Sequence, residues 1–136
     1  MNSSQPFFVY GTLTHPEIRE VLFNQVVEAQ PATLLGWQRR MADDGYLFIV
    51  PDANSEVKGQ IIALNQRQIA LADMWEDVTR YHLETVNVQV TSGQAISAQT
   101  YTRAATVSGN RVEDNCIANH SISEIVAAIT ALHSQQ

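Results

Sequence analysis

Apolar positions along this chain fall into short runs and two regular periods, and together these predict its elements. Phe7 to Tyr10 is a run of four after a polar lead, which predicts a short buried strand. Gly11-Thr12-Leu13 follows, and Pro16 then sits in the first turn of a predicted helix from His15 to Asn24. Ile18, Val21 and Leu22 share one face of that helix, and Thr14 with Glu17 has capping-box spacing. Ala32 to Met41 reads as a strand interrupted at Gly36 by a bulge or bend. Tyr46 to Val50 reads as a strand stopped by Pro51, with turn chemistry over Pro51 to Ser55. Val57 to Leu64 is the next strand. Asn65 then opens a helix over 66–77, with Gln68 as its reciprocal capping partner.

Tyr81 to Val90 alternates, first on Tyr81, Leu83 and Thr85, then on Val86, Val88 and Val90. This phase change suggests a bulge. Ser92-Gly93-Gln94 turns the chain into a returning strand, Ala95 to Thr102, which makes a hairpin. Residues 103–120 are polar and irregular. A last helix runs from Ser121, capped by Glu124, to about His133, with Ile122, Ile125, Val126, Ile129 and Leu132 at helical spacing. About six strands and about three helices, with short connections, predict an α+β fold. Its sheet is a small, bent, mixed or antiparallel β-barrel, and its strand order is open. The chain reads as a single domain over 1–136.

Composition narrows the function classes. The 136 residues are 45 % hydrophobic and 16 % charged, a globular mix. Eight basic residues against fourteen acidic ones give a net charge of −6, so no basic stripe is available for nucleic acid. No apolar run reaches the length of a membrane-spanning helix, and no signal peptide is visible at the start. One cysteine, Cys116, cannot form an internal disulfide and fits a reducing, cytoplasmic setting.

The familiar chemical motifs are missing. His15, His82, His120 and His133 show no metal-ligand spacing, so no metal is expected. There is no nucleophile elbow, no Walker loop and no dinucleotide fingerprint. Cys116 and His120 stand four apart in a polar stretch, where an ordinary thiol outweighs a nucleophile pair. Two features carry more. On the helix over 66–77, Leu71, Met74, Trp75 and Val78 form the apolar face, and Asp73 and Asp77 lie opposite it. Glu76 falls between Ile69 and Ala72, at the edge of the buried face. A dehydrated carboxyl there gains a raised pKa suited to a general base; the competing reading is an edge glutamate that snorkels to water. The strand–glycine–helix junction at Gly11 is either a tight turn or a nest of Gly11, Thr12 and Leu13 amides for a small anion.

Together these features resemble the γ-glutamylcyclotransferase-like proteins, in the branch that contains γ-glutamylamine cyclotransferase and the plant AIG-two-like proteins. Phe8-Val9-Tyr10-Gly11-Thr12-Leu13 matches the family's opening strand and Tyr-Gly-Thr/Ser-Leu loop. Tyr46 to Pro51 followed by Val57-Lys58-Gly59-Gln60 matches its central strands. Ala72 to Asp77 matches a helix end written Leu-Asp-x-aromatic-Glu-Gly, and Tyr81 to Val90 with Tyr101 matches its closing hairpin. The likeness spans roughly residues 7–102, and the last helix lies outside it. Two positions depart from the pattern: Asp77 replaces the family's Gly, and Leu83 stands where the family often has Arg in Tyr-x-Arg.

The resemblance implies a reaction that needs no cofactor. The α-amine of a γ-glutamyl compound attacks its own γ-carbonyl and releases 5-oxoproline and an amine. Glu76 would be the general acid/base. Tyr10, Gly11, Thr12 and Leu13 would form the substrate loop, and Tyr81 a wall or hydrogen-bond partner. The partner implied is a small γ-glutamyl molecule, whether its leaving group is an amino acid, a polyamine or a lysine side chain. A non-enzymic small-carboxylate-binding protein of the same fold is the competing reading, and a structural protein with a vestigial pocket is a third. Oligomeric state stays open.

Overall fold

The computed structural model describes residues 4–42, 46–76, 81–103, 109–111 and 122–134. Among the described residues, six strands and three α-helices follow in the order β1 (Gln5–Val9), α1 (Pro16–Phe23), β2 (Ala29–Ala42), β3 (Leu47–Leu64), α2 (Gln66–Glu76), β4 (His82–Val90), β5 (Ala95–Thr102), β6 (Gly109–Arg111) and α3 (Ile122–Ser134), with a 3-10 turn over Thr12–Thr14 between β1 and α1. Five strands close on themselves: β1 pairs with β3 and β5, β5 with β4, β4 with β2, and β2 with β3. The β1–β5 pairing is parallel and the others are antiparallel. Short β6 extends the far end of β2. The expected small mixed barrel with three flanking helices is the observed architecture.

Two apolar layers explain the runs in the sequence. The barrel interior holds Phe8, Tyr10, Leu34, Leu47, Ile49, Val57, Ile61, Val86 and Val88. The second layer lies between barrel and helices. It holds Phe7, Val9, Phe48, Val50 and Ile62 with Ile18 and Leu22 of α1, Ala72 of α2, and Ile125 and Ile129 of α3. Successive side chains of a strand point to opposite faces. A strand covered on both faces is therefore a continuous apolar run, as in Phe7–Val9 and Leu47–Val50. β4, covered on one face, alternates instead.

Three local expectations are corrected. Pro51 does not end a strand, because β3 runs through it as one 18-residue strand. Its pairing with β2 jumps between Leu35↔Glu56 and Trp37↔Pro51, so residues 52–55 bulge opposite Gly36, whose φ is +84°. The turn chemistry is present inside that bulge, where Asp52 accepts from the Asn54 amide and the Ser55 hydroxyl. β4 has no bulge, since its register with β5 is unbroken from His82 to Gln89. Val86 and Val88 are buried while Leu83 and Thr85 face out, and Tyr81 belongs to the segment before the strand. Finally, α1 is capped by His15, whose Nδ1 accepts from the Glu17 amide at 3.2 Å; the Thr14 hydroxyl instead donates to Gly11 O at 2.6 Å. The Asn65–Gln68 box on α2 forms reciprocally as expected, at 2.8 and 2.9 Å. The Ser121 cap of the last helix lies outside the described residues.

At Gly59 the barrel walls come too close for a side chain. A Cβ there would stand 2.3 Å from Val9 O. This contact seats β3 against the end of β1, the point from which the Gly11 turn departs.

Candidate active site

β1 delivers the chain to the top of the barrel, and the 3-10 turn that follows opens a cavity of about 360 Å³. Its lining includes Tyr10, Gly11, Thr12 and Leu13, Met74, Trp75 and Glu76 of α2, and Tyr81, Tyr101 and Arg103. All six residues expected at the site therefore line one cavity.

The turn is built from backbone. The Thr14 amide donates to Gly11 O and the His15 amide to Thr12 O, so the preceding amides of Gly11, Thr12 and Leu13 have no acceptor inside the turn. Gly11 has φ −126°. Its contribution is the missing side chain at the cavity wall. The turn is held from behind by Arg19 of α1, which is buried. Arg19 Nη1 donates to Leu13 O, Thr14 O and Gln60 Oε1, and its Nε to Val27 O, all at 3.0 Å. Burial lowers the pKa of this guanidinium, and four acceptors offset that cost. The sequence reading missed Arg19. The available signal was its place four residues before Phe23, on the apolar side of α1.

α2 brings Glu76 to the turn. Ala72, one turn earlier, is fully buried, and Glu76 lies half-buried where the apolar face meets the cavity. Burial raises its carboxyl from 4.5 to about 7, against a smaller opposing effect of the Arg103 guanidinium. Trp75 ties this helix end to the turn by donating Nε1–H to Thr12 Oγ1 at 3.3 Å, and Tyr46 packs edge-on to its indole.

The tyrosines are fixed by the barrel. Tyr10 OH donates to Tyr101 O at 2.5 Å, and its pKa is well raised, first by burial and then by nearby Tyr81 and Glu76. Tyr81 OH donates to Leu47 O at 2.8 Å, while its ring carries the Arg103 guanidinium 4.4 Å from the centroid. Arg103 was also missed. It follows Tyr101 by two residues, and the period of a strand puts both on one face. Leu83, at the family's frequent arginine position, is 42 % exposed on β4 and does not line the cavity.

Asp73 corrects another expectation. It is not on a solvated face, since Tyr101 OH donates to its Oδ1. This carboxylate and burial together raise the Tyr101 phenol, burial being the larger cause. Asp77, Cys116 and His120 lie outside the described residues. Among the described residues, no group of three or more His, Cys, Asp or Glu is placed to hold a metal ion, and no helix is long and apolar enough to cross a membrane.

Residues 7–120 match the family model described as gamma-glutamyl cyclotransferase, AIG2-like. The chain belongs to this family. AIG2-like protein C of Arabidopsis thaliana is 34 % identical over 97 residues, which cover 69 % of this chain and 56 % of that protein. The chain thus spans about half the length of the curated relatives it matches. A solution structure from Arabidopsis thaliana superposes with a TM-score of 0.70 at 22 % identity, over 98 % of this chain and 85 % of the other. A structure described as gamma-glutamyl cyclotransferase gives 0.71 at 14 % identity, over 96 % and 80 %. At these identities the structural likenesses speak for the fold. The family match ends before α3.

Proposed function

We propose that this chain is a cyclotransferase that converts a γ-glutamyl amine or γ-glutamyl amino acid into 5-oxoproline and a free amine. The observation that carries this reading is the placing of Glu76, Arg103 and the Gly11–Leu13 turn around one cavity. The substrate's α-ammonium gives a proton to the Glu76 carboxylate. The freed α-nitrogen attacks the γ-carbonyl carbon, forming the five-membered ring, and loses a second proton as the lactam N–H remains. The bond from that carbon to the leaving nitrogen breaks. Glu76 relays both protons, one at a time, to the leaving nitrogen, which departs as an ammonium. A carboxyl that titrates near 7 suits both halves of this exchange.

Ring closure is intramolecular, so the main demand on the protein is to hold the glutamyl chain folded. Arg103 pairs with the α-carboxylate, and the Gly11, Thr12 and Leu13 amides donate to the oxyanion that develops on the γ-carbonyl. Tyr81 and Tyr101 wall the ring. No step calls for a metal or organic cofactor. A reducing, cytoplasmic setting suits such a substrate and the single Cys116.

The test is release of 5-oxoproline from a panel of γ-glutamyl amines and γ-glutamyl amino acids. Turnover that disappears in Glu76→Gln supports the reading. No turnover across the panel, with a thermal shift by glutamate or 5-oxoproline, would instead assign a carboxylate-binding protein.

A further inference from the structure

We propose that the leaving half of the substrate is an apolar amine, without a charged tail, seated against Met74, Trp75, Ala128 and Leu132. This rests on the cyclotransferase reading of the same cavity and adds the class of substrate to it.

Charge is the first argument. Among the described residues lining the cavity, the charged ones are Glu76 and Arg103. A glutamyl head brings one ammonium and one carboxylate, and these match that pair. A further charge on the leaving group would meet Tyr46, Leu47, Met74, Trp75, Ala128 and Leu132. An ammonium that gives up part of its hydration against such a surface finds no opposite charge there to replace it.

Position is the second. Phe8, Tyr10, Leu13 and Leu47 are each at most 6 % exposed and form the floor. Ala128 is exposed and Leu132 half-buried, so α3 supplies the outer rim. The turn and Glu76 engage the reacting end, which leaves the rim to the departing group.

The third argument is how α3 is used. Ile125, Ala128, Ile129 and Leu132 are spaced i, i+3, i+4 and i+7, one stripe of a helix. Ile125 and Ile129 are fully buried in the core between barrel and helices. Ala128 and Leu132, from the same stripe, line the cavity instead. An apolar stripe half-spent on the cavity provides a greasy wall for a ligand, and a cavity of about 360 Å³ is of ligand size. α3 lies beyond residues 7–120, so the rim comes from outside the stretch the family match covers.

The test uses two compounds that differ at one end: γ-glutamyl-pentylamine and γ-glutamyl-butane-1,4-diamine, a terminal methyl against a terminal ammonium on chains of equal length. The expected result is kcat/KM for 5-oxoproline release about 10- to 100-fold higher for the pentyl compound. Ala128→Glu places an acid on the rim at an exposed position, where the longer side chain has room. That variant is expected to shrink or invert the preference. Equal or better turnover of the diamine compound by the unaltered chain overturns the proposal, and so does an unchanged preference in a folded Ala128→Glu variant. If neither compound is turned over, the cyclotransferase reading is decided separately, by the wider panel of γ-glutamyl amines and amino acids. Calorimetric binding of the same two compounds then decides the rim's selectivity: tighter binding of the pentyl compound retains it, and equal or weaker binding overturns it.

Discussion

Replacing Glu76 by Gln is expected to abolish turnover and raise stability above neutral pH, and both effects follow from one carboxyl. Burial shifts Glu76 from 4.5 to about 7. The folded chain therefore keeps this proton up to about pH 7, whereas the unfolded chain releases it near 4.5. Between those values the native state binds more protons. The associated stability is full below about pH 4.5 and is lost as pH rises through about 7. Ionising the group in place costs about 3 kcal/mol as an upper value, at about 1.4 kcal/mol per pH unit. Glu76 is half-buried, so water in the cavity screens part of this, and the Gln amide still needs hydrogen-bond partners. For a chain of this size the net gain amounts to a rise of roughly 3 to 10 °C in Tm at pH 8. At pH 4.5 both chains are neutral there and should melt alike. The assay is thermal unfolding of both proteins at pH 4.5 and 8, alongside 5-oxoproline release. General acid–base assistance is worth about 100- to 10,000-fold, so activity should fall by at least that lower figure. A variant that melts no higher at pH 8, or keeps more than about a tenth of the activity, would refute the reasoning.

The kcat/KM profile of the unaltered chain should rise with pH through about 7, as Glu76 ionises into its basic form. Arg103→Met removes the cation that lowers Glu76, so this limb should move to higher pH; a limb that stays put would place Arg103 outside the site's electrostatics. Arg19→Met leaves the carbonyls of Leu13, Thr14 and Val27 without their donor, and unfolding by urea should show a loss of about 2 to 4 kcal/mol. Arg19→Lys should recover only part of it, because an ammonium lacks the guanidinium fork. Gly59→Ala drives a Cβ into Val9 O and should cost about 1 to 3 kcal/mol or more, read as a fall in Tm; an unchanged Tm would show that β1 and β3 can part without penalty.

Much of this architecture was written in local pattern. The Asn65–Gln68 cap, the Gly93 turn between β4 and β5 and the apolar stripe of α3 depend on residues within one or two helical turns or one hairpin, so spacing alone announces them. Spacing placed Glu76 at a helix edge and the Tyr10–Leu13 loop at a strand end but left a snorkelling glutamate and a plain turn open; the resemblance to the family made them candidates. The strand order of the barrel was not legible. It depends on the parallel pairing of Phe7 with Gln99 and on the register of Ala32 with Val90, contacts between residues far apart in the chain.

The same distance hid the residues that complete the site. The partners of Arg19, namely Gln60, Val27 and the turn carbonyls, are set by tertiary packing. Asp73 reads as solvated until β5 brings Tyr101 to it. Arg103 becomes a cavity residue only because the barrel folds the end of β5 over Tyr81. Local sequence determines which conformations a segment prefers, through sterics and capping. The burial, partner and ionisation of a charged group depend on the segments packed around it, and only the closed tertiary structure supplies those.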